Sequence, residues 1–232
     1  MQDWRRLIVR RRLSWLPKPQ EGLRGLTPFE RVRNAWREAR KVEDYALCSG
    51  RLSPRVMAEL RSRAVQSSRG STRFLDVGAG FGVGVDAAAR LGNVFAVGLA
   101  PHKPRIAAGA SLNWILGTAE RVVVPDFFDV IQSHFCLSHA ANYAVSFENL
   151  LNSLRKGGAL FLNATDTPRC GSFVLADLTD PHSFWGALKT QGFTVEGVGN
   201  NVKVTRPHYR KADLSKFYSD ADINYQPGVA KK

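Results

Sequence analysis

The sequence predicts an α/β fold built on a doubly wound parallel sheet, and three observations lead there. From residue 73 onward, short apolar runs alternate with amphipathic segments, the pattern that lays helices across a parallel sheet. Residues 74–92, FLDVGAGFGVGVDAAARLG, read as a strand, a glycine-rich turn and a helix. The series closes on GFTVEGVGNNVKVTRP, two apolar runs joined by GNN, which reads as a tight hairpin.

Taken in order, residues 1–26 are Arg-rich, with Trp4, Leu7, Ile8, Leu13, Trp15 and Leu16 interleaved. Such a stretch fits a basic arm on RNA or an organelle-targeting peptide; Asp3 and the lack of early serines count against targeting. TPFERVRNAWREARKVEDYAL predicts a helix, with Thr27 as cap, Pro28 in the first turn and Glu30 completing a capping box. SPRVMAELRSRA predicts a second helix capped by Ser53, and QSSRGST links it to the sheet. Strands are expected near 73–77, 93–98, 112–116, 128–132, 159–163, 193–198 and 201–206, with helices near 82–91, 103–110, 146–155 and 182–190. Residues 207–232 lack a clear period and read as a tail. The division is therefore a basic helical extension over 1–70, an α/β domain over 71–206 and a C-terminal tail over 207–232.

A chain of 232 residues with 44% hydrophobic content supports one sizeable core plus extensions. No run reaches the roughly 20 apolar residues of a membrane-spanning helix, and no secretory segment opens the chain. Cys48, Cys136 and Cys170 are odd in number, far apart and without C-x-x-C spacing, so neither a disulfide framework nor a metal site is expected, and a reducing, cytoplasmic setting is. An organelle such as the mitochondrion, or the host cytoplasm of a virus, is the alternative setting. The net charge of +13 is concentrated in the flanks. Residues 1–41 carry twelve Lys/Arg against four acids and residues 51–73 six against one, whereas residues 74–201 carry eight against ten. A basic rim around a neutral core points to a polyanionic partner, RNA or a ribonucleoprotein.

Gly78, Gly80 and Gly82 permit positive φ and let a ligand approach the backbone, while the N–H groups of the following helix favour an anion. The spacing is not that of a dinucleotide site, because Val83 stands where the third glycine would be needed. On LDVGAGFG, FDVIQSHFCLSH, LLNSLRKGGALFLN and the closing hairpin, residues 71–206 resemble the class I S-adenosylmethionine-dependent methyltransferases. The resemblance implies a seven-stranded, mostly parallel sheet with an antiparallel last strand, and S-adenosylmethionine as cofactor. It implies that Gly78, Ala79, Gly80 and Gly82 wrap the methionine end, that Asp76 holds the ammonium group, and that Ser133 lines the methyl-donor side.

Two acids of the family pattern are missing. The ribose-binding acid falls at Leu99 or Ala100, and the adenine-binding acid after the third strand falls at Thr118, followed by Ala119. A carboxylate there would supply charged hydrogen bonds of about 1.5–3 kcal/mol each, which leucine cannot replace. For the acceptor, SHFCLSH is not the motif that stacks a flipped base, and Cys136 lacks the proline that accompanies a nucleophilic cysteine. His134 and His139 are the candidate general bases. The sequence therefore predicts a methyltransferase acting on or bound to RNA, ribosomal RNA included. The alternatives are an inactive methyltransferase-fold subunit or assembly factor of a ribonucleoprotein, and a small-molecule methyltransferase.

Overall fold

The computed structural model describes residues 4–10, 52–66, 70–80, 82–100, 113–134, 136–137, 140, 143–163, 181–197 and 201–218. In chain order these form a 3-10 turn (Trp4–Leu7), β1 (Val9–Arg10), α1 (Pro54–Gln66), β2 (Thr72–Val77), α2 (Val83–Ala89), β3 (Val94–Ala100) and β4 (Asn113–Leu116). There follow β5 (Val122–Val123), β6 (Phe128–His134), α3 (Tyr143–Ser153), β7 (Leu154–Asn163), α4 (Pro181–Thr190), β8 (Thr194–Glu196), β9 (Asn201–Thr205) and a 3-10 turn (Ser215–Phe217). The helices expected from Thr27 and near 103–110 lie outside the described residues.

Seven strands form one sheet in the order β4-β3-β2-β6-β7-β9-β8. Six run in one direction; β9 runs against both of its neighbours. This is the expected doubly wound sheet with an antiparallel last strand. The strand order reverses between β2 and β6, and the crevice outside the carboxyl ends of those strands is where such sheets bind ligands.

Alternation along the strands builds two apolar layers. Phe74, Ala96, Val130 and Phe161 face Val56 and Leu60 of α1 and Val85 and Ala88 of α2. Leu75, Val97, Ile131, Leu160 and Val204 lie in the other layer with Phe147, Leu150 and Leu151 of α3 and Phe184 and Leu188 of α4. Ser53 caps α1 as expected, its Oγ accepting from the Val56 N–H at 3.2 Å. With Val56 and Leu60 fully buried, α1 is part of the sheet's own core, although its sequence reads as part of the basic extension.

Three segments differ from the sequence expectation. The first residues of the basic arm dock: β1 pairs antiparallel with β5, and the buried Trp4 stacks on Phe127 at 6.0 Å and meets Phe95 edge-on at 5.6 Å. The helix expected to reach 155 stops at Ser153, and Arg155–Gly158 already belong to β7. Gly157 adopts φ 70°, and a Cβ on Gly158 would lie 2.9–3.2 Å from the carbonyls of Arg155, Phe128 and Asp129, so the strand enters the sheet through two obligate glycines.

The third difference is the segment from residue 207, which reads as a tail but docks as a strap through residue 217. Arg206, 4% exposed, anchors it: its guanidinium pairs with Asp126 at 2.6 Å, donates to the carbonyls of Asn152 and Leu154, and donates through Nε to the Arg210 carbonyl at 3.2 Å. The strap then runs along α3. Asn152 exchanges two hydrogen bonds with the Ala212 backbone, and Glu148 accepts from the Leu214 N–H at 2.7 Å. Removing the buried guanidinium takes a donor from the buried Leu154 carbonyl and detaches the strap at Arg210. Arg206→Ala should therefore destabilise the fold by about 1–3 kcal/mol, read as a lower urea midpoint.

Candidate functional site

The sequence-predicted cofactor residues converge at the carboxyl ends of β2, β3, β4 and β6. Asp76 and Val77 end β2, and Val77 pairs with Leu99 of β3 on one side and Ser133 of β6 on the other. The Gly117 N–H donates to the Ala100 carbonyl at 3.0 Å, drawing the turn that carries Thr118 and Ala119 to the end of β3. That turn is fixed from α3, where Asn149 donates to the carbonyls of Ala119 and Glu120 at 2.8 Å each.

The glycine turn has the backbone the spacing predicts. Gly78, Gly80 and Gly82 all adopt positive φ, at 69°, 53° and 84°. At Gly78 a side chain is excluded twice: the conformation is left-handed, and a Cβ would lie 2.5 Å from the Cβ and Sγ of Cys136. The loop after β6 thus crosses directly over the turn. The N–H groups of the turn itself are engaged with backbone carbonyls. Those of Gly78 and Ala79 donate to the Leu99 carbonyl at 2.8 and 3.3 Å, and that of Gly82 donates to the Ala79 carbonyl at 2.7 Å. The helix that follows, α2, spans seven residues.

Asp76 is buried, 1% exposed. Its Oδ1 accepts from Gln132 Nε2 at 3.2 Å, while its buried Oδ2 has no hydrogen-bond partner. Desolvation pushes its carboxyl up to about 8, and the bond from Gln132 offsets this only in part. Gln132 is held in turn by the Ser53 N–H, which donates to its Oε1 at 3.2 Å. A polar chain thus links the start of α1, the middle of β6 and the end of β2. Sequence reasoning did not single out Gln132; period two along β6 places it on the face of His134, opposite that of Ser133, and so beside Asp76.

At the ribose-binding position the structure supplies no acid. Leu99 and Ala100 are 2% and 1% exposed, and Leu99 belongs to the core layer beneath the turn. Next to Asp76, Gly98 is covered by the indole of Trp114, so that a Cβ at 98 would lie 2.2–2.8 Å from three of its ring carbons. Trp114 is a second residue the sequence reading missed; the signal for it is a glycine inside a strand beside an aromatic on the neighbouring strand. Ser133 is fully buried below the end of β6. His134 is the last residue of that strand and is partly exposed, which leaves it at the sheet edge. His139 lies outside the described residues. Among the described residues no cluster of His, Cys, Asp and Glu could hold a metal ion, and no helix is long and apolar enough to cross a membrane.

The residues fit S-adenosylmethionine at one end. An orphaned carboxylate oxygen beneath a glycine cradle suits an ammonium group, but no carboxylate is available at the end of β3 for a ribose.

Part of the chain is similar to known proteins. Residues 75–162 match the family model described as methyltransferase domain. An S-adenosylmethionine-dependent methyltransferase from Mesorhizobium loti is similar at 19% identity over 64% of this chain and 96% of its own, with a TM-score of 0.47. Phosphoethanolamine N-methyltransferase 2 from Haemonchus contortus, solved with phosphomonomethylethanolamine and S-adenosylhomocysteine, is similar at 16% identity over 73% of this chain and 45% of its own, TM-score 0.45. A proposed methyltransferase from an antibiotic biosynthesis pathway of Anabaena variabilis is similar at 19% identity, TM-score 0.37; the match covers 48% of each chain. No curated protein sequence matches. Residues 75–162 are therefore similar to a methyltransferase domain.

Two outcomes follow for the site. Gly78→Ala combines left-handed strain with the Cys136 clash and should lower stability by about 2–4 kcal/mol, measured by thermal or urea unfolding. Asp76 stays protonated in the folded, cofactor-free protein up to about pH 8, whereas it ionises near pH 4 when unfolded. Its contribution is therefore complete below pH 4 and is lost as pH rises toward 8. Asp76→Asn should remove this loss, so its stability advantage over the parent should grow by more than about 1 kcal/mol between pH 5 and pH 7 in urea titrations.

Proposed function

We propose that this chain is an S-adenosylmethionine-dependent methyltransferase that acts on, or docked to, RNA in the cytoplasm. The observation that carries the cofactor assignment is the buried, half-satisfied Asp76 carboxyl under the glycine turn. A carboxyl that costly to bury is retained where a cation completes it. In this reading Asp76 takes the ammonium group on Oδ2, and Gln132 holds the carboxylate in place through Oδ1. Gly78, Gly80 and Gly82 bring the backbone against the ligand without Cβ atoms in the way. The cofactor, when bound, supplies a methyl group activated by a sulfonium. His134, at the end of β6, is placed to remove a proton from an acceptor that needs one. Leu99, Ala100 and Trp114 close the end of β3 without a carboxylate, which predicts weaker ribose recognition than the family pattern gives. The RNA part of the reading rests on the concentration of Lys and Arg outside residues 74–201.

The missing acid favours one second reading, a non-catalytic member of a ribonucleoprotein whose fold serves as scaffold. Isothermal titration with S-adenosylmethionine separates the two. Because Asp76 must ionise to hold the ammonium, affinity should rise toward tenfold per pH unit between pH 5.5 and 7. Binding should also release close to one proton, seen as a dependence of heat on buffer ionisation. Gly80→Arg should abolish the heat. An absence of heat in the parent at high protein and ligand concentration overturns the enzymatic reading and leaves the scaffold.

A further inference from the structure

We infer that the outward face of the C-terminal strap, residues 207–216, together with the exposed side of α4, docks single-stranded RNA. The inference deepens the RNA reading above and rests on it. The strap is held rigidly from behind. Besides the bonds from Asn152 and Glu148, Gln191 at the end of α4 exchanges two hydrogen bonds with the Asp213 backbone, each 2.8 Å. Ala212 and Leu214 are buried, whereas residues 208–211, Asp213, Ser215 and Lys216 are exposed. The result is a preorganised ridge that loses little conformational freedom on binding.

Three features of that ridge fit a single strand. Tyr209 is 94% exposed, next to the exposed His208, whose ring lies 6.2 Å away. An aromatic face left open between cations is a stacking platform for an unpaired base. An open groove of about 670 Å³ runs between α4 and the strap, lined by Arg210, Lys211 and Lys216 together with Ser183 and Thr190. Cations and hydroxyls are the side chains that bind phosphate and sugar. Asp213 is the one carboxylate among the groove's lining residues. Its Oδ1 already accepts from the Ser215 N–H at 3.0 Å and hydroxyl at 2.7 Å, which also hold its carboxyl below the usual range. The groove thus presents three cations against one engaged acid. An acidic peptide would satisfy the cations but leave Tyr209 without a π-face to stack on, so RNA is the partner the surface favours.

Position separates this surface from the reaction centre. The strap begins where antiparallel β9 ends, at the edge of the sheet opposite the glycine turn. The seven residues of β6 set the two edges about 20 Å apart. The ridge would therefore anchor an RNA without touching the methyl-donor site.

The test uses the full chain and a fluorescent twelve-nucleotide oligouridylate, with anisotropy read between 50 and 200 mM salt. Tyr209→Ala should weaken binding about tenfold. Arg210→Ala with Lys211→Ala should reduce the slope of log K against log salt by about 1.4, two phosphates at roughly 0.7 each. Gly186→Glu places an acid in the groove where a Cβ meets nothing within 4 Å, and should weaken binding at least tenfold at low salt. Melting temperature and S-adenosylmethionine titration should match the parent in all three. Unchanged oligonucleotide affinity in the three variants overturns the inference. So does displacement by polyglutamate as effective as by RNA, or preference for duplex RNA. If binding is instead lost only on Arg5→Ala, Arg11→Ala and Arg12→Ala, the RNA reading stands and the strap is not its site. A parent that binds no RNA at any salt removes both.

Discussion

The site is organised around a carboxyl group that the fold strips of water. Asp76 sits at the end of a strand in the middle of the sheet, covered by the glycine turn, with a single amide hydrogen bond to compensate for desolvation. An unpaired charge there is costly, and burial pushes the carboxyl well above its ordinary value. Everything close by follows from that economy. Gln132 must be oriented, and the Ser53 N–H at the start of α1 orients it. Trp114 must roof Gly98, which leaves no room beside Asp76 for a second acid. Cys136 must lie on Gly78, which only a glycine permits.

A second constraint shapes the opposite layer. All of α3 from Tyr143 to Ser153 is buried, including Ser146, Glu148, Asn149, Asn152 and Ser153. Glu148, Asn149, Asn152 and Ser153 each bond the backbone of a segment that wraps the helix. Asn149 takes the turn after β4, Ser153 takes the Val124 N–H at 3.0 Å, and Asn152 and Glu148 take the strap. The helix is consequently a spine between two segments distant in sequence. One side steadies the turn that carries Thr118 and Ala119; the other carries the ridge of exposed cations and Tyr209. The charge that distinguishes this chain thus rests on a rigid support. In an unstructured tail, ordering the segment would oppose binding.

Much of the architecture was legible before any coordinates. Apolar periodicity located the strands of the large sheet, because alternation and burial leave a local record. Ser53 before Pro54 marked the start of α1, and the D-x-G-x-G-x-G spacing marked the turn, because caps and positive φ are local chemistry as well. The end of α3 was misplaced by two residues because Leu154 continues the helical apolar spacing while already pairing with Phe128 in the sheet. Trp4 and residues 207–217 read as flanks because their apolar residues are too sparse for a period; each is held by partners distant in the chain, such as Phe95 and Phe127 for Trp4.

By itself, the sequence determined the order of elements, the glycine turn, the carboxyl at its base and the placement of cations outside the central domain. Only the tertiary structure decided that the carboxyl is desolvated and half-satisfied, that an indole fills the space beside it, and that the C-terminal cations stand on a fixed ridge. The division has one physical cause. Hydrogen bonding along a strand or a turn is set by neighbours in sequence. Desolvation, close approach and the pairing of polar groups are set by neighbours in space, such as Gln132 for Asp76, 56 positions away, and Asn152 for Ala212, 60 away.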